Sequence, residues 1–165
     1  MSYILRVVII LFSSLFFFVN CSTDKDKMTA ENTAADILQG IKQVANIEVS
    51  GAENAYTFQV TIESPDTGCD QYADWWEVVD LEGNLVFRRI LDHSHVTEQP
   101  FTRVGENVEI SEDQEVYIRM HMNNSGYAVK AQTGSVAKGF RPKELEADFA
   151  KNLEKLEPLP EACAF

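Results

Sequence analysis

Two runs joined by a turn decide the fold: Cys69-Asp-Gln-Tyr-Ala-Asp-Trp-Trp-Glu-Val-Val-Asp80, then Leu81-Glu-Gly-Asn84, then Leu85-Val-Phe-Arg-Arg-Ile-Leu-Asp-His-Ser-His-Val96. Apolar, β-prone residues flank a turn signal at Gly83-Asn84, and the pattern predicts a β-hairpin. In the first arm Tyr72, Trp76 and Val78 share one parity and Ala73, Trp75 and Val79 the other. Successive side chains of a strand point to opposite faces, so each face carries a tryptophan. In the second arm Leu85, Phe87 and Leu91 alternate with Val86, Arg88 and Ile90. One tryptophan then belongs in the core, and the other faces solvent, a ligand or a covering segment drawn from either end of the chain.

Outward from the hairpin the signals stay β-like. Val44 to Val49 reads as a first strand, and Ser50 to Asn54 as its turn. In Tyr56-Thr-Phe-Gln-Val-Thr-Ile62 apolar and polar residues alternate without exception, the pattern of a half-buried strand. Ser64-Pro65-Asp66-Thr67-Gly68 carries strong turn chemistry. Residues 96 to 105 read as a connecting loop through Gln99-Pro100, followed by a short strand at Val108 to Ile110. In Val116 to Met122 the residues Val116, Ile118, Met120 and Met122 point one way and Tyr117, Arg119 and His121 the other. Asn123 to Gly126 closes a hairpin onto Tyr127 to Thr133, and Ser135 to Phe140 adds a further short strand. Leu145, Phe149, Leu153 and Leu156 recur at helical spacing after Pro142, predicting a short C-terminal amphipathic helix ended by Pro158 and Pro160.

About seven short strands with turns every ten residues or so predict an all-β chain folded as an antiparallel β-sandwich. A tryptophan on the third strand, and Asp113 four residues before Tyr117 at the strand preceding the last hairpin, resemble immunoglobulin-like and fibronectin type III-like domains. The resemblance implies their sandwich architecture and no particular ligand. The expected organisation is a signal over residues 1–20, a lipidated cysteine and tether over 21–43, the β-sandwich over 44–140, and the C-terminal helix and tail over 141–165.

The signal rests on Arg6 followed by the apolar run Val7 to Val19, too short to span a bilayer comfortably, and then Cys21. This resembles a bacterial lipoprotein signal, cut before a cysteine that carries a diacylglyceryl thioether. Asn20 stands where that pattern has Gly, Ala or Ser. The resemblance implies acylation of Cys21 and a membrane-anchored protein of the cell envelope, facing the periplasm or the exterior. Each buried CH₂ of an acyl chain contributes about 0.8 kcal/mol, so several chains on one cysteine anchor firmly. An exported compartment permits disulfides, and with Cys21 acylated the remaining Cys69 and Cys163 are expected to pair. The net charge is −12 at pH 7, with no offsetting basic cluster, which disfavours nucleic acid as a partner.

Candidate chemistry is sparse. In Asp92-His93-Ser94-His95 an extended backbone projects His93 and His95 to one side, where both imidazoles reach one ion; with His121 they form an expected copper or zinc set. The alternative is that the two histidines fix the path of a loop. Tyr72, Trp75, Arg88 and Arg89 form an expected face for a protein or carbohydrate ligand, since aromatic and guanidinium groups suit such recognition. No nucleophile elbow, phosphate loop, Cys-x-x-Cys pair or His-Glu-x-x-His helix is present. The expected function is a membrane-anchored, non-catalytic binding or scaffolding module; the alternative is a metal-binding lipoprotein.

Overall fold

The structure, a computed structural model, describes residues 40–164. The signal, Cys21 and most of the tether lie outside the described residues. Nine strands follow in order: β1 (Gln43–Ala52), β2 (Ala55–Glu63), β3 (Ala73–Asp80), β4 (Leu85–Ile90), β5 (Phe101–Val108), β6 (Val116–Met122), β7 (Gly126–Tyr127), β8 (Lys130–Ser135) and β9 (Gly139–Glu144). They hydrogen-bond in the order β4-β3-β6-β8-β1-β2-β5, with β7 beside β6 and β9 beside β8. The antiparallel groups β4-β3-β6-β8-β9 and β1-β2-β5 are joined by one parallel register pair, Gln43 with Lys130. The described residues are all-β apart from one short 3₁₀ helix, as their alternating patterns require.

One apolar core lies between the two groups. Phe58, Val60 and Ile62 of β2 face Trp76 and Val78 of β3 and Ile118, Met120 and Met122 of β6, all fully buried. The ends of the sheet meet as well. Arg89 of β4 donates from Nε to the Val104 carbonyl of β5 at 3.0 Å. Gly105 lies directly beneath the rings of Phe87 and Trp76: a Cβ there would come within 2.5 Å and 2.6 Å of their carbons. Gly105→Ala is therefore expected to overpack this seam and to cost about 1–3 kcal/mol in chemical denaturation.

Several expectations are corrected. Val108 ends β5 instead of opening a separate strand at Val108 to Ile110, and residues 136–138 are the turn between β8 and β9 rather than the middle of a strand. Phe101 to Gly105 belongs to strand β5 rather than to a loop. Its buried residues are Phe101, Gly105 and Val108, with a register shift opposite β2 and left-handed backbone at Asn107 (φ 59°), so the two-residue period is lost. The C-terminal segment is not an amphipathic α-helix. Strand β9 reaches Glu144, and beyond it only a five-residue 3₁₀ helix forms, Lys151–Lys155, with Leu153 as its one buried residue. Leu145, Phe149 and Leu156 are half-buried or exposed. Their helical spacing is met by a strand end and an irregular strap instead.

Candidate functional site

The register of the central strands places Glu77 of β3 directly between Arg88 of β4 and Arg119 of β6. All three point away from the core, on the parity of Trp75 and His121. Glu77 is nevertheless 0% exposed. Its Oε2 accepts from Arg88 Nε at 2.8 Å and Nη2 at 2.6 Å, and its Oε1 accepts from Arg119 Nε at 2.8 Å. A buried charge persists only when paired and hydrogen-bonded, and two guanidinium forks on one carboxylate meet that requirement.

Two residue pairs along, on the same face, Trp75 is the cross-strand partner of His121 and stacks on it at 3.7 Å. The Arg88 guanidinium lies 4.6 Å above the Trp75 ring, and that of Arg119 lies 3.4 Å above Tyr127. Each cation is therefore held by a ring face as well as by Glu77. His121 Nδ1 stands 2.7 Å from Asp74 Oδ1, and its Nε2 stands 3.9 Å from Glu154 Oε1. Burial raises the Tyr127 hydroxyl far above its ordinary pKa, and the Glu77 charge adds to the effect.

What covers this face is the C-terminal strap. A Cys69–Cys163 disulfide, with Cα atoms 5.6 Å apart, ties the tail to the start of the hairpin. The Leu153, Leu156 and Pro158 carbonyls accept from Arg88. Those of Phe149 and Ala150 accept from Arg119 at 2.6 Å and 3.1 Å. Ala150 adopts left-handed backbone (φ 46°) at the start of the 3₁₀ helix. The outer-face tryptophan is Trp75, 3% exposed, and Trp76 is the one in the core.

The expected ligand face is thus not open. Tyr72 (4% exposed), Trp75 and Arg88 (7% exposed) are buried, and Arg89 is turned to the β4–β5 seam. Nor do the three histidines converge. His121 belongs to the outer face, whereas His93 and His95 lie together, ring centroids 4.6 Å apart, with His95 stacked on Phe101. Among the described residues no group of three or more His, Cys, Asp or Glu side chains is placed to hold a metal ion.

The loop around His95 is organised by Asp66, which the sequence places in the turn after β2. Its buried carboxylate accepts from Ser64 Oγ at 2.7 Å, Ala73 N at 3.0 Å and His95 N at 2.8 Å. Three donors from separate segments fix the entry to the hairpin and the loop after it, so it is the His95 backbone rather than its ring that fastens the loop. Burial pulls the His95 imidazole down to about 4, with the charges of Arg103 and His93 acting the same way and Asp66 and Glu98 opposing. The folded state thus holds His95 neutral where the unfolded chain, at about 6.5, takes up a proton. Stability from this group is complete above pH 6.5 and is lost as pH falls towards 4, by about 3 kcal/mol. Urea denaturation across that range should show the loss, and His95→Phe should flatten it.

A separate cleft of about 330 Å³ opens between β1 and the paired strands β8 and β9, beside Gln43, Gln132, Pro142 and Lys143. It shares no residue with the covered face.

Comparison with known proteins adds a partial relationship. No family model matches the chain. It is 38% identical over 106 residues, 59% of its length, to a Halomicrobium mukohataei protein named "Putative lipoprotein". The chain spans about half (52%) of that relative's length. Among solved structures it is similar to a hypothetical protein from Pyrococcus horikoshii OT3, at 19% identity and a TM-score of 0.38, covering 66% of this chain and 92% of that one. It is also similar to a superoxide reductase (neelaredoxin) from Ignicoccus hospitalis, at 14% identity and a TM-score of 0.38, covering 67% and 84%. At that similarity neither carries an argument about activity.

Proposed function

We propose that the chain is an exported lipoprotein, held at a membrane of the cell envelope through acylated Cys21, whose body is a non-catalytic binding or scaffolding module. The observation that carries the exported half of this reading is the Cys69–Cys163 disulfide, which ties the tail to the start of the central hairpin. Cystines persist in exported compartments. The relative's name and the Arg6-to-Cys21 pattern support the lipid anchor. The body reads as an immunoglobulin-like sandwich over residues 44–140, supported by the pairing of β1 with β2, β2 with β5, β3 with β4 and β6, and β6 with β8. Its partner would be a protein or carbohydrate, because a net charge of −12 repels nucleic acid. Cys21→Ser is expected to release the protein from the membrane fraction or leave its signal uncut. Unchanged fractionation with unchanged acyl labelling would overturn the anchor.

A further inference from the structure

The strap is held to the body by the disulfide, by its own carbonyls and by a few further contacts. Of residues 146–164 only Leu153 is buried, and the rest are half-buried or exposed. Five strap carbonyls accept from two guanidiniums, Glu154 Oε1 lies 3.9 Å from His121 Nε2, the Phe149 ring stands edge-on to Tyr117 at 5.2 Å with the Arg119 guanidinium 5.7 Å from it, and Ala164 N donates to the Asp92 carbonyl. The surface beneath is of another kind. Trp75, His121 and Tyr127 form a continuous stack with Arg88 and Arg119 over two of its rings; Glu77 pairs with both guanidiniums, and Asp74 Oδ1 lies 2.7 Å from His121 Nδ1. The strap sits on this face as a peptide ligand would, carbonyls on the cations and a carboxylate on the histidine. Cys69 and Cys163 are both half-buried, within reach of solvent.

We propose that the strap is a disulfide-latched cover, and that reducing Cys69–Cys163 frees it and leaves the guanidinium donors of Arg88 and Arg119, beside the aromatic stack, open to an anionic group. The reductant is a dithiol. One of its thiolates attacks a cystine sulfur and forms a mixed disulfide while the other cysteine leaves as thiolate. The second thiol of the dithiol then resolves the mixed disulfide, so two electrons and two protons pass to the cysteines and the dithiol becomes a disulfide. Local opening of this sort draws on segments with few buried apolar contacts, which describes the strap and not β3 or β6. The inference rests on reading the body as a binding module, but its test is independent of the membrane fractionation of Cys21→Ser.

The test compares the oxidised full chain with the dithiol-reduced chain and with a Cys69→Ser/Cys163→Ser variant, which needs no reductant. Amide exchange of residues 149–158 should accelerate at least about 100-fold beyond that of β3 and β6, whose protection should fall only as far as global stability falls in denaturation. Fluorescence quenching should appear at Trp75, with Trp76 still shielded in the core, and iodide should gain more than neutral acrylamide. Strap amides as protected as before would overturn the latch. So would exchange of the strap at the same opening free energy as β3 and β6, because the cover would then be part of the global fold. An opened strap with iodide no better than acrylamide would overturn the anion site.

Discussion

Glu77→Ala is expected to destabilise the fold by about 3–5 kcal/mol, the largest effect of any single substitution at the covered face. The carboxylate is fully buried and accepts from both Arg88 and Arg119. Removing it leaves two guanidiniums under the strap with ring faces and peptide carbonyls but no countercharge. Guanidinium does not deprotonate to escape, so the cost is borne as repulsion and desolvation. Urea denaturation should show a lower midpoint. Replacing Glu77, Arg88 and Arg119 together by apolar residues of similar size should cost much less at the row itself, since a buried ion triad is often no more stable than good apolar packing. That variant still deprives five strap carbonyls of their donors, so its strap should be loose while its sheet remains firm. A Glu77→Ala variant as stable as the wild type would mean that solvent reaches the row.

Loss of the disulfide is the second large effect. Cys69 and Cys163 are 94 residues apart, and the chain-entropy treatment gives about 4–5 kcal/mol for closing a loop of that size. Cys163→Ser should approach this value as an upper bound, because the strap also gains freedom in the folded variant. The comparison is best made by guanidinium denaturation of the oxidised protein and of the variant at equal concentration. A change below about 1 kcal/mol would mean that the link constrains the unfolded chain far less than its length implies.

The sequence exposes the faces of β2, β3 and β6 because their side chains alternate cleanly, and Tyr117, Arg119 and His121 do take the parity opposite to Met120 and Met122. It also shows that one tryptophan needs a cover. It does not show which residues meet across strands. Glu77 is one acid among 26 until the register sets it between two arginines from different strands. Asp66 is likewise hidden, since a turn-forming aspartate looks the same whether it caps its own turn or ties three segments together. Strand β5 escapes because a glycine and an irregular register remove the period that marks a strand. The tail looks helical because its apolar residues are spaced by three and four, a spacing that an irregular segment can share when most of those residues stay at the surface.

The Cys69–Cys163 cystine closes the chain on itself and straps its tail across the central hairpin. Peptide mapping of protein purified from the envelope, without reduction and with free thiols blocked at lysis, should recover the peptide carrying Cys69 joined to the one carrying Cys163, with neither alkylated. Recovery of both as separate, fully alkylated peptides would contradict it.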